Sequence, residues 1–207
     1  MSALPVTSSA EVAAATAWSR RVRRVGGFIQ VAFATFWLVR GSLTLRGVTG
    51  EVLAAFFLVL ALWVTLYGVR VTAGRAPRPT SVEGRHIERE VTVATIIQLV
   101  ASFAVPVVVI ALGYPDWVLP SIAITIGPLL LWLDYRVHIP RLSPVGWVLI
   151  GGSIVLGLVL SGNPLAVTTG LSAGALLLAT ATLGFHDLTR PQVWGLPRRP
   201  RHASSRT

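Results

Sequence analysis

The 207-residue chain contains neither cysteine nor lysine. Without a thiol it can form no disulfide, and it offers no thiolate nucleophile, zinc–thiolate site or iron–sulfur ligand. Charge of any kind is scarce. Only 13% of the residues are charged, against about 25% in an ordinary soluble domain. Recognisable catalytic patterns are missing too: there is no Walker motif, no Gly-x-Ser-x-Gly and no paired carboxylates. No Asp or Glu occurs in the middle of an apolar run, which removes the buried carboxylate that a proton-coupled antiporter would use. The first nineteen residues lack a basic start and carry Glu11 where a signal peptide has its apolar core.

What is present in excess is apolar surface. Hydrophobic residues make up 53% of the chain and the mean hydropathy is +0.70. One soluble core cannot hide that surplus, so a lipid bilayer must take it. A run of roughly 20 apolar residues spans the hydrocarbon at 1.5 Å rise per residue. Six such runs are legible, at about 25–45, 52–71, 91–112, 117–135, 145–161 and 165–185. Runs this long satisfy their backbone groups only as helices. The fold class read from the sequence is therefore all-α, a polytopic membrane bundle of six transmembrane helices.

The arginines orient it. Arg20, Arg21, Arg23 and Arg24 precede the first run; Arg70, Arg75, Arg78, Arg85 and Arg89 lie at or between the second and third. Arg136 and Arg141 separate the fourth and fifth, and Arg190, Arg198, Arg199, Arg201 and Arg206 follow the sixth. Only Arg40 and Arg46 break the alternation. Basic residues mark the cytoplasmic side, so the pattern predicts cytoplasmic N- and C-termini and a multi-pass protein of the cytoplasmic (plasma) membrane. It also accounts for the net charge of +10. The charge is divided among short loops and tails instead of one basic face, which argues against nucleic acid as a partner. The partners it does suit are the bilayer itself and anionic lipids at the cytoplasmic face.

The chain then divides into a basic N-terminal segment (1–24), a six-helix membrane domain (25–187) and a disordered basic tail (188–207). Short outer connections at 46–51, 113–116 and 162–164 are punctuated by Gly and Pro. They predict three consecutive helical hairpins: one with two, three with four, five with six. Trp117, Trp132, Trp147 and Tyr135 fall at span ends, where aromatic rings anchor at headgroup level.

Polar groups inside a span are costly and so are candidates for function. Gln30 and Gln98 lie at similar depth near the cytoplasmic ends of spans one and three. Their amides are placed to hydrogen-bond each other, as glue between helices or as the lining of a path. Arg40 is the only arginine inside an apolar run. It can extend to the outer headgroups or pair with Asp116 at the outer mouth. Asp134 and Asp187 end spans four and six, where Arg136, Arg141 and Arg190 can neutralise them. His86, His138, His186 and His202 match no metal spacing, and no metal or cofactor is expected. Pro106 and Pro128 sit mid-span, where each removes a backbone hydrogen bond and favours a kink. Gly127 loosens the same turn as Pro128. The freed carbonyls can line a polar cavity or be satisfied by Ser102, Ser121 or Thr125. Ser153, Gly157 and Ser161 in span five, and Ala166, Gly170 and Gly174 in span six, recur every four residues. Such stripes let helix backbones approach closely. They predict a tightly packed last hairpin, or a homodimer.

The segments Ile87-Glu88-Arg89-Glu90 through Ile97-Gln98, Gly113-Tyr114-Pro115-Asp116-Trp117 and Ile126-Gly127-Pro128-Leu129 carry a resemblance over residues 87–147. This region resembles the central hairpin of a group of uncharacterised bacterial integral membrane proteins with six spans. The group's pattern has His and Phe before the Pro-Leu of the fourth span; here Gly127 leads directly to Pro128. The resemblance implies a bacterial membrane protein and supplies no activity. The expected function is that of a non-catalytic integral membrane protein, not an enzyme. The alternative is a small transporter or channel for a neutral or weakly polar solute.

Overall fold

A computed structural model describes residues 9–73, 82–137 and 141–189. Six helices follow in order: α1 (Ser9–Leu43), α2 (Gly47–Val71), α3 (Val82–Ala111), α4 (Val118–Val137), α5 (Leu142–Val159) and α6 (Gly162–Asp187). A single 3₁₀ turn, Pro115–Trp117, leads into α4. No strand occurs among the described residues. Each expected span falls on one helix. Five helices, α2 to α6, are long and apolar enough to cross a membrane. The first helix is not among them: arginines crowd its early turns, and Gln30 and Arg40 interrupt its apolar stretch. The basic tail expected at 188–207 lies outside the described residues from 190 onward, as do His138 and His202.

Two helix starts differ from expectation. Gly47–Gly50 and Gly162-Asn163-Pro164 were read as turns, but they form the first turns of α2 and α6. The first N–H groups of a helix have no partner within it, so Pro164 gives up nothing there. The sharp change of direction falls one residue earlier or at the junction itself. Arg46 has φ 53 and Gly162 has φ 61.

The packing is not a row of hairpins. The most extensive contact joins the first helix to the last, α1 to α6, followed by α4 with α5. The α1–α2 and α3–α4 hairpins are packed as expected, whereas α5 and α6 touch only lightly. The tight last hairpin predicted from the two small-residue stripes is therefore corrected. Gly170 and Gly174 face α1: a Cβ at Gly170 would fall 2.7 Å from Gly41 Cα, and one at Gly174 2.6 Å from Leu38 Cγ. On α5, Ser153 is buried and Gly157 abuts the Trp117 ring. Ser161 is not on that helix at all; it is the exposed residue before α6.

The α1 side of this contact is a seven-residue stripe, Gly27, Ala34 and Gly41. Gly41 meets Gly170, Ala34 meets Gly174, and Gly27 meets Phe185. The numbering runs in opposite senses, so the two helices are antiparallel. The hydrophobic core draws on α1, α2, α4, α5 and α6, for example Trp37, Val64, Ile126, Leu149 and Leu177. Among the described residues none from α3 belongs to it. Large apolar side chains on α2, α3 and α5 are exposed, such as Phe56, Phe103 and Leu158. Water cannot solvate so continuous an apolar surface at little cost.

Candidate functional site

The polar groups within the apolar helices were the candidates, and each has a definite place. Gln98 is 6% exposed and points at α4. Its side-chain amide donates to Ser102 Oγ at 3.1 Å, one turn along α3, and to Thr125 Oγ1 at 3.2 Å on α4. Thr125 in turn donates to the Ile122 carbonyl at 2.8 Å. The expected Gln30–Gln98 pair does not form. Gln30 is half-buried on α1, and α1 and α3 do not pack on each other to any extent among the described residues.

Pro106 and Pro128 do not break their helices. α3 continues to Ala111 and α4 to Val137. Each ring leaves one carbonyl, of Ser102 and Ile124 respectively, without its i+4 donor. Pro128 itself is exposed on α4. Ser121 and Thr125 bond the carbonyls of Val118 and Ile122, not that of Ile124. Gly127 does more than loosen the chain. A Cβ there would collide with Ile150 and lie 2.8 Å from the Gly146 carbonyl. The absent side chain is what lets α4 and α5 meet.

Most hydroxyls in the helices turn back on their own backbone. Thr35, Ser42, Thr65, Thr95, Thr180 and Thr182 each donate to the carbonyl four residues earlier. That uses the hydroxyl's one donor and leaves only its acceptor lone pairs for another partner. Among the described residues, two buried polar atoms lack a hydrogen bond, Trp37 Nε1 and Thr169 Oγ1.

The helix ends carry the ionic chemistry. At the end where Arg40 and Arg46 lie, Asp116 Oδ2 accepts from the Gly162 N–H at 2.9 Å. This caps the first amide of α6, which has no side-chain cap of its own. A carboxylate there also meets the positive end of the helix dipole. Of the two readings of Arg40, the pair with Asp116 is not formed, and Arg40 is exposed. At the opposite, arginine-rich end, Asp134 Oδ2 accepts from the Ser143 N–H at 3.2 Å and caps α5 in the same way. Arg141 Nη1 donates to Asp187 Oδ2 at 2.9 Å, the neutralisation the sequence suggested. Tyr67 Oη and His186 Nδ1 lie 3.3 Å apart. His86, Arg136 and Arg190 have no described side chain.

One residue was not singled out from the sequence. Phe185 is fully buried at the arginine-rich end. Its ring lies between Gly27 of α1 and Gly68 of α2, and a Cβ on either would meet it within 2.7 Å. The Phe28 ring adds an aromatic contact at 5.1 Å between centroids. Two glycines at the ends of apolar runs were the available signal.

Among the described residues no three His, Asp or Glu side chains come together as a metal site. An open, apolar depression is lined by Val48, Thr49, Val52, Leu53 and Phe56. It includes none of Gln30, Gln98 or Pro128. No family model, no curated protein and no solved structure matches the chain.

Proposed function

We propose that this chain is a non-catalytic integral membrane protein of a bacterial cytoplasmic membrane, acting as a helical scaffold with both ends in the cytoplasm. The observation that carries the reading is the use made of its polar groups. Gln98 is engaged by Ser102 and Thr125, and Asp116 and Asp134 cap helices. Thr35, Thr65, Thr95, Thr180 and Thr182 bond their own helices, and among the described residues no polar cluster is equipped for turnover. Six spans follow if α1 also crosses. Its antiparallel contact with α6 over Gly27, Ala34 and Gly41 supports that. The arginines at the cytoplasmic end would then meet anionic headgroups.

Because the chain has no cysteine, single cysteines report topology without background. With an impermeant maleimide on intact cells, Val48→Cys is expected to label. Ser9→Cys and Thr189→Cys are expected to label only after permeabilisation. External labelling at just one of those two ends would mean an odd number of crossings and overturn the six-span reading.

The transporter reading rests on the same Gln98–Ser102–Thr125 cluster, which is the main polar group between two apolar helices. Flux of neutral solutes into proteoliposomes separates the two. The scaffold reading expects the wild type to match protein-free vesicles. Flux that Gln98→Leu abolishes would establish the transporter instead.

A further inference from the structure

We propose that α3 is a hinged helix, which swings away from α4 at its arginine-rich end on a pivot held fixed at the opposite end. The first observation is how little of it is enclosed. In the apolar stretch of α3, 6% of the residues are buried, against 44% in α4 and in α6. Phe103, at 72% exposure, and Val107, at 67%, are as open as side chains at a helix tip. Among the described residues α3 packs only on α4 and the 3₁₀ turn, and α2 and α3 share no packed face.

The second observation is the kind of contact that holds it. Where α1 meets α6, and α4 meets α5, glycines bring backbone against backbone. The apolar stretch of α3, Arg89–Ala111, contains no glycine. Side chains pack between α3 and α4, and the polar link across them is the Gln98 amide on Thr125. A hydrogen bond between membrane helices is weak, because a separated amide finds another partner, here Ser102 on its own helix.

The third observation is the pivot. α3 closes in a Schellman motif: the Tyr114 N–H bonds the Val109 carbonyl and the Gly113 N–H bonds that of Ile110, both at 3.0 Å. Gly113 sits at φ 87, which a glycine adopts without strain. Immediately beyond it the chain is anchored. Asp116 holds the first amide of α6, and Trp117 packs on Gly157 of α5. A defined turn therefore joins a loosely held helix to a firmly held one.

The motion is measurable by spin-label distance distributions in liposomes. The far ends of the two helices are reported by Val93→Cys with Tyr135→Cys. Val25→Cys with Leu183→Cys reports the α1–α6 contact, and Leu112→Cys with Leu158→Cys reports the pivot. The expected result is an α3–α4 distribution about twofold wider than the α1–α6 one, with the pivot pair as narrow as α1–α6. Gln98→Leu, or Thr125→Val if the first variant does not fold, shifts the α3–α4 pair to longer distance and leaves the others unchanged. An α3–α4 distribution as narrow as α1–α6 overturns the proposal. So does a pivot pair as broad as the far ends, which would mean that α3 separates as a whole. These outcomes do not depend on whether the protein carries a solute.

Discussion

The α1–α6 and α3–α4 interfaces solve the same problem by different means. Both join antiparallel apolar helices, where lipid competes for every apolar contact. The first removes side chains, so that Gly41 and Gly170 bring two backbones together and dispersion acts over many close atoms. The second keeps its side chains and adds the Gln98–Thr125 hydrogen bond. Close packing is harder to replace, because mobile lipid chains fill a glycine groove less completely than a fitted helix does. A hydrogen bond has a ready substitute. Shape therefore fixes the centre of this bundle, while polarity only registers its edge.

Substitutions can break that contrast, in descending order of expected effect. Phe185→Ala removes the ring between Gly27 and Gly68 and should destabilise by about 3–5 kcal/mol, the usual range for a buried Phe. Thermal unfolding in detergent would read it, and an unchanged midpoint would show that the ring is not what joins α1, α2 and α6. Gly170→Ala places a methyl against Gly41 and should cost about 1–3 kcal/mol by overpacking. The same substitution at Gly151, where a Cβ meets nothing within 4 Å, should cost nothing, so the pair separates contact from glycine chemistry. Gln98→Leu should cost only about 0.6 kcal/mol, the mean for hydrogen bonds between membrane helices. A loss as large as that of Gly170→Ala would erase the distinction between the two interfaces. Phe103→Ala, on the open face of α3, should stay within about 0.5 kcal/mol of the wild type. A larger loss would reveal a packed partner on that face.

The elements and two of the three neighbouring hairpins were legible in the sequence; the long-range partners were not. Apolar run length fixes where a helix lies because the bilayer imposes it, so all six runs fell on helices. Partner choice depends on complementary surfaces that lie far apart in the chain. Gly170 and Gly174 could be recognised as a close-approach stripe, but their mates, Gly41 and Ala34, recur at seven-residue spacing in another run. Nearness along the chain pointed to α5 instead. Gln98 was identifiable as an intramembrane amide, yet nothing in one sequence says that Thr125, not Gln30, faces it. The roles of Asp116 and Asp134 as caps were hidden for the same reason. Each serves a helix that it does not belong to, and only the folded chain brings the carboxylate to the open amides.

The pairing of the first helix with the last has a consequence for synthesis. Membrane helices enter the bilayer in the order in which the ribosome makes them. On the six-span reading proposed above, α1 is delivered first, and its glycine face then waits through four further helices before α6 arrives. Until that moment Gly27, Ala34 and Gly41 lack the partners they have in the folded protein, and Phe185 does not yet exist to fill the space beside Gly68. The bundle therefore cannot lock progressively as it emerges. It closes in one late step, and a chain cut short before α6 retains its hairpins but never acquires its centre.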